Sequence, residues 1–317
     1  MSNPGRGQLE NNAVGYDIIG DIHGHASELR ALLANMGYGR HGRGYRHPDR
    51  KAIFVGDFVD RGPAIWEVLE IVRSMVEAND AFAVMGNHEY NAIAFHTPVP
   101  NKKNAWFRVH SEKNLKQHEA TLSQLSPQQL GDAIQWFRSL PVALEIDGVR
   151  VVHAAWQATN IAIINHALKS EGKFTTEFLL MAEEDGSELQ LAIENVLKGP
   201  ELTLPAGQFI RDKSGHQRDK VRIKWYEPGI GRTYRQHHLG NDDVPDVAIH
   251  PDDLRGFETY PSDAAPVFVG HYWLTGTPRP LAANVACTDY SVAKGGKLVA
   301  YRWNGESTLS ETNFHWA

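Results

Sequence analysis

Three short polar motifs, each closing an apolar run, constrain this chain more than any other feature. Residues 14–19 read as a buried strand ending at Gly20-Asp21-Ile22-His23-Gly24. Residues 52–55 end at Gly56-Asp57-Phe58-Val59-Asp60-Arg61-Gly62, and residues 81–85 at Gly86-Asn87-His88-Glu89. Between the first two strands, Leu29, Leu32, Leu33 and Met36 fall at helical spacing and stop at Gly37. A second helix is expected over 65–76, with Pro63 as its first-turn proline. The βαβαβ rhythm predicts an α/β fold with crossover helices and its polar motifs gathered at strand ends. Ligands of open α/β sheets bind beyond the carboxyl ends of the strands, where these motifs stand.

The rest of the chain supplies more strands and one region of different character. A polar stretch, 97–117, reads as a surface loop bordering the site, and Ser126-Pro127 starts a helix that runs to Phe137. Residues 142–146 and 149–152 form a hairpin across Asp147-Gly148, and strands are expected at 267–270, 283–286 and 297–303. His153 and His271 each follow one of these apolar runs. Residues 155–264 begin with helices (161–168, 175–182, 187–197). They then carry eight Lys/Arg against three acids over 211–238, and seven acids against Arg255 over 241–263. We read 155–264 as a cap inserted into one domain whose core is 13–154 and 265–317, and as the source of substrate specificity.

Composition narrows the setting. The 317 residues are 42% hydrophobic, enough for one large domain with an insertion. A net charge of −6 gives no global attraction to nucleic acid or anionic lipid, so an anionic substrate must be caught locally. One cysteine, Cys287, excludes an internal disulfide and suits a reducing compartment. Residues 1–12 lack an apolar signal core and no run reaches the length of a membrane span, so a soluble, cytoplasmic protein is expected.

Asp, His, Asp, Asn, His and His make up the donor set of a two-metal hydrolytic centre, with hard oxygen and borderline nitrogen ligands around a shared carboxylate. Asp21 and His23 can turn toward one ion, Asp57 is placed to bridge, and Asn87, His153 and His271 can complete a second. Such a pair activates a bridging water for in-line attack on phosphorus. His88 can protonate the leaving oxygen with Asp60 holding its other ring nitrogen, and Arg61 offers a fork to two phosphate oxygens. Taken singly, an Asp after a strand caps a turn and a His there is a hydrogen-bonded core residue. One metal site accounts for all of them together.

GDIHG, GDFVDRG and GNHE resemble the three signature motifs of the phosphoprotein phosphatase branch of the calcineurin-like metallophosphoesterases, which also holds bacterial protein phosphatases and diadenosine tetraphosphatases. The resemblance is specific over 16–89 and looser through His153, His271 and the last strands. It implies a two-sheet sandwich flanked by helices. It places Asp21, His23 and Asp57 on one metal ion, and Asp57, Asn87, His153 and His271 on the other. His88 would be the general acid, Asp60 its support and Arg61 the phosphate clamp. Trp273 stands where other branches carry a second His of a Gly-His-x-His motif, in keeping with the phosphoprotein phosphatase branch. A further phosphate-binding arginine has no recognisable motif; Arg211, Arg222 and Arg235 are its candidates.

The leading expectation is hydrolysis of phosphate monoesters, phosphoserine and phosphothreonine among them, by a metal-bridging hydroxide. The alternative is a dinucleoside polyphosphate, for which Trp225, Tyr226 and Tyr234 could stack bases. A non-catalytic scaffold would have lost His88, Arg61 or a ligand, and this chain keeps them all. Two divalent ions are expected, manganese first, with iron, zinc or nickel acceptable to the same donors. In the cap, Val221, Ile223 and Trp225 alternate with Arg222, Lys224 and Tyr226, predicting a strand whose cationic face (Arg222, Lys224) meets an anionic substrate. The competing expectation is a solvated basic face paired with the acids of 241–263.

Overall fold

The computed structural model describes residues 15–169, 172–211, 217–240 and 243–317. The first half runs β1 (Gly15–Ile19), α1 (Ala26–Asn35), a hairpin of β2 (Gly39–His41) and β3 (Gly44–Arg46), β4 (Arg50–Phe54), α2 (Ile65–Glu77), β5 (Ala81–Ala83) and α3 (Asn87–Phe95). Helices α4 (Glu112–Gln124) and α5 (Pro127–Phe137) lead to the hairpin β6 (Ala143–Ile146) and β7 (Val149–Val152). Then come α6 (Ala158–Leu168), α7 (Thr176–Ala182) and α8 (Glu188–Lys198). Four short strands follow, β8 (Glu201–Thr203), β9 (Ile210–Arg211), β10 (Gln217–Arg218) and β11 (Lys220–Arg222), and then α9 (Tyr234–His237). The chain closes with β12 (Val267–Val269), β13 (Val285–Cys287), β14 (Asp289–Tyr290), β15 (Lys297–Trp303) and β16 (Phe314–Trp316).

Two sheets face each other. One has the order β14-β15-β1-β4-β5 with β16 on β15; the other is β13-β12-β7-β6. β1, β4 and β5 are parallel, as are β7, β12 and β13, so both sheets send their carboxyl ends to one edge. Alternation along β1 shows how the layers are made. Tyr16 and Ile18 enter the core between the sheets with Val151, Phe268 and Tyr301, while Ile19 faces α1 and α2. Asp17, also on the helix side, is wholly buried and is neutralised by Arg50 at 2.9 Å and Arg302 at 3.0 Å. α2 presents Ile65, Val68, Leu69, Val72 and Met75 as one buried stripe.

Local signals account for most boundaries. Ser126 and Gln129 form a capping box with Pro127 in the first turn of α5. Pro63 differs from expectation, because α2 starts at Ile65 and its cap is Ala64. The expected loop 97–117 is helical from Glu112 onward, where Ser111 caps α4. That helix buries only His118 and Thr121, both polar, so it carries no apolar stripe to announce it.

Residues 155–264 divide in two. α6, α7 and α8 cover the outer face of the second sheet and share the main core, with Ile164, Phe178, Ile193 and Val196 packed in the cluster that holds Val152 and Val269. From β8 onward a separate small cluster forms, made of Leu202, Leu204, Ile210, Val221, Ile223, Tyr234, Val244 and Ile249. Among the described residues no helix is long and apolar enough to cross a membrane.

Candidate metal centre

The six expected donors meet at the shared edge of the two sheets. Asp21 and His23 follow β1, Asp57 follows β4 and Asn87 opens α3 after β5; His153 follows β7 and His271 follows β12. All six are buried. Glycine permits the approach: a Cβ on Gly270 would lie 2.0 Å from Asp21 Oδ1, and one on Gly86 2.3 Å from Asp57 Oδ1. His23, Asp57 and His271 hold left-handed backbone (φ 44°, 53° and 72°), a conformation that costs non-glycine residues about 1–2 kcal/mol each.

Asp57 lies at the centre. Its Oδ2 is 3.5 Å from His23 Nε2, and its Oδ1 is 3.4 Å from His153 Nε2. Asn87 Oδ1 is 3.0 Å from His153 Nε2 and 2.8 Å from His271 Nδ1. His23 Nδ1 donates to Val59 O at 2.8 Å, and His153 Nδ1 to Val55 O at 2.8 Å. In the neutral rings each Nε2 is therefore a lone pair facing oxygen acceptors, an arrangement that calls for a cation. Asp21 Oδ1, His23 Nε2 and His271 Nε2 are buried without a hydrogen-bond partner. Asp21 and Asp57 with His153, and Asp57 with His23 and His88, form two groups whose donor atoms lie within 4.8 Å of one another. The residues fit a pair of divalent ions.

Charge is as concentrated as the geometry. Burial, then Asp289 and Asp57 through their charges, raise the Asp21 carboxyl well above its ordinary range. Burial, then His88, pull His23 down to about 3. For His153 burial pulls downward, but the Asp57 carboxylate outweighs it and pushes the ring up to about 10. Three buried carboxylates crowded among histidines are what bound cations would neutralise.

A match to the calcineurin-like phosphoesterase family spans residues 16–271, from β1 through the last histidine of this cluster. The chain belongs to that family. Among curated relatives it is 46% identical over 74 residues to a bis(5'-nucleosyl)-tetraphosphatase PrpE (asymmetrical) of Halalkalibacterium halodurans, covering 23% of this chain and 30% of that protein. It is 29% identical over 178 residues to the protein of the same name from Oceanobacillus iheyensis, covering 54% and 65%. Thus the alignments span less than two thirds of these relatives. A cold-active protein-tyrosine phosphatase of a psychrophilic Shewanella superposes with a TM-score of 0.50 at 14% identity over 95% of this chain and 80% of its own, a likeness of fold.

The residues around the donor cluster are held as firmly as the cluster itself. His88 Nδ1 donates to Asp60 Oδ2 at 2.5 Å, which leaves Nε2 facing Asp57 Oδ2 at 3.9 Å. Asp60 also accepts from His118 Nδ1 at 2.7 Å and Thr121 Oγ1 at 2.6 Å. Burial would raise the Asp60 carboxyl, but the bonds from His118 and His88 hold it well below its ordinary range. Sequence reasoning missed His118 and Thr121 because α4 itself was unread. It also gave Glu89 no role, although its place beside His88 was a signal. This fully buried carboxylate accepts from the backbone N–H of Asp57 (2.7 Å), Phe58 (2.8 Å), Val59 (3.3 Å) and Gly86 (3.1 Å), so it clamps two motif loops together.

The cap residues split. Arg222 is half-buried, donates from Nε to Lys198 O at 2.9 Å and lies 3.9 Å from Glu201 Oε1; burial and then its charge depress His271. Lys224, also half-buried, instead donates to Gln236 O at 3.0 Å. The expected shared cationic face is corrected accordingly, because β11 ends at Arg222. Trp225, Tyr226 and Tyr234 are buried, Trp225 donating to Tyr272 OH, which corrects their expected role as base-stacking surfaces. Of the other arginine candidates, Arg235 turns to Val244 O and Asp243, and the Arg211 side chain lies outside the described residues. Arg61 is exposed, its guanidinium 4.5 Å from the centre of the Trp273 ring.

Proposed function

We propose that this chain is a two-metal phosphoesterase hydrolysing phosphate monoesters, phosphoserine and phosphothreonine among them. The observation that carries the reading is Asp57, whose two oxygens face the Nε2 atoms of two different histidines, each ring held at Nδ1 by a backbone carbonyl. Asp21, His23 and Asp57 would hold one ion, and Asp57, Asn87, His153 and His271 the other, with manganese the expected metal. When bound, the ions lower the pKa of water and polarise the phosphoryl oxygens.

The chain's own groups do the rest. His88 is protonated at Nε2 and gives that proton to the leaving oxygen, while Asp60 keeps its Nδ1–H in place. Arg61 grips two non-bridging oxygens with its planar fork, and Arg222 adds positive charge from the His271 side. In this reading 155–264 is a cap on the core 13–154 and 265–317, and Arg222 is its contribution to the site. A cytoplasmic setting belongs to the same proposal, in keeping with Cys287 as a free, buried thiol.

A second reading, hydrolysis of a dinucleoside polyphosphate, is favoured by the relatives of that name, the Oceanobacillus protein among them, which aligns over 178 residues. One experiment addresses both. The purified protein is stripped with a chelator, reloaded with manganese, and assayed on nitrophenyl phosphate, phosphopeptides and dinucleoside tetraphosphates. Activity should vanish on stripping and return on reloading. A protein that stays fully active without metal would end the two-metal proposal, and the substrate ranking decides between the readings.

A further inference from the structure

Beside the metal centre three side chains converge that the assigned chemistry does not fully use. Trp273 stacks on His23, with ring centres 5.7 Å apart and planes inclined by 28°. Its indole also carries two cations: Arg61 Cζ lies 4.5 Å and Lys294 Nζ 4.2 Å from the ring centre. Arg61 and Lys294 are exposed and Trp273 half-buried, so positive charge is displayed at the mouth of the site. The negative faces of aromatic rings hold such cations in place.

The backbone is built to place them. Trp273 N donates to Asp289 Oδ2 at 2.6 Å, and Ser291 N donates to Asp289 Oδ1 at 3.0 Å. One buried carboxylate thus anchors both the Trp273 backbone and the start of the turn Val292–Lys294. Ser291 Oγ to Leu274 O and Leu274 N to Asp289 O, each 3.1 Å, tie the same two segments again. Arg61, Trp273 and Ser291 all hold left-handed backbone (φ 67°, 54° and 61°), although none is glycine. Such strain persists only where the surroundings over-determine it, and it gathers at functional sites.

We propose that Trp273 and Lys294, together with Arg61, form a second anion subsite that binds the phosphoryl group next to the one being attacked. The inference rests on the phosphoesterase reading and extends it to substrates that carry a diphosphate. Arg61 faces the group under attack, and Lys294 meets the neighbouring one across the indole. In the hydrolysis of a diphosphate, a new P–O bond to water forms as the P–O bond to the bridging oxygen breaks. That oxygen leaves on the neighbouring phosphoryl group with the electrons of the broken bond and takes up the His88 proton, while water's displaced proton passes to solvent. Lys294 stabilises the charge that arrives there, and Trp273 sets its distance from Arg61.

The test compares two inhibitors of nitrophenyl phosphate hydrolysis by the manganese-loaded protein at constant free metal: α,β-methylene-ADP and AMP. They share a nucleoside and differ in the second phosphoryl group. In the wild type the diphosphate should bind roughly tenfold more tightly, the scale of one charge-assisted contact. Lys294→Ala should remove that gap while leaving AMP inhibition and nitrophenyl phosphate turnover unchanged, and Lys294→Arg should restore it. Trp273→Phe should keep most of the gap. Equal binding of the two inhibitors to the wild type, or a gap that survives Lys294→Ala, would overturn the subsite. Calorimetric titration of both nucleotides reads the same gap without turnover, so failure of the phosphoesterase reading stays distinguishable from failure of the subsite.

Discussion

Between Asp57 and Glu89 the polar side chains at the centre answer to buried partners, whereas from β8 to α9 the charged side chains meet theirs near the surface. In the first region Glu89 accepts from four backbone amides, and Asp60 from two histidines and a threonine. In the second, Arg218 reaches Glu201 and Arg232 reaches Glu227 through partly exposed side chains, and Arg235 reaches Asp243 through exposed ones. Exposed pairs of that kind contribute about 0–1 kcal/mol each, while buried charge-assisted bonds are short, directional and costly to break. Precision is concentrated at the donor cluster, and in the proposed reading the contribution of 155–264 among the described residues is Arg222.

Substitutions can break or sharpen this contrast. The largest effect is expected at Asp57. Asp57→Asn removes the charge shared between two cations, so bound metal should fall and turnover should nearly disappear; elemental analysis alongside kinetics checks both. An Asp57→Asn protein that kept both ions and most of its activity would sink the shared-carboxylate assignment. Next comes His88→Ala, which should retain metal yet lose roughly two to four orders of magnitude in turnover. That loss should shrink for nitrophenyl phosphate, whose leaving group needs little protonation. Equal losses on good and poor leaving groups would remove His88 as general acid.

The smallest effects belong to the cap, where they also discriminate best. Arg222→Ala should raise KM roughly tenfold, as expected for one lost contact to a charged group. Lys224→Ala, whose ammonium is already committed to Gln236 O, should change neither KM nor turnover. Matching effects from the two variants would restore the shared cationic face that the sequence pattern suggested.

Legibility followed the same divide. Asp21, His23, Asp57, Asn87, His153 and His271 were readable because each closes an apolar run, and a run ending in a polar residue marks a strand end whatever the rest of the chain does. β1, α1, α2, α5 and the β6–β7 hairpin carried strong periodicity or turn residues and stand within a residue or two of their expected places. α4 was hidden because its two buried residues are polar, and with it went His118 and Thr121. The alternation of 221–226 was real for Val221, Ile223 and Trp225, which are buried. It misled for Lys224, because the strand stops at Arg222 and the chain then follows its bonds to the 236–238 segment. Periodicity reports which face is apolar; it does not report what the other face meets.

Glu89 has a consequence for motion. The amides of Asp57, Phe58 and Val59 sit in one loop and that of Gly86 in another, yet all four share one carboxylate as acceptor. Neither loop can swing out alone without leaving a buried anion short of donors, so the two open together or not at all. Their protons should therefore exchange with solvent as a single cooperative unit, which amide hydrogen exchange would read. The part of the molecule that does the chemistry is, on this account, also among the last to fluctuate.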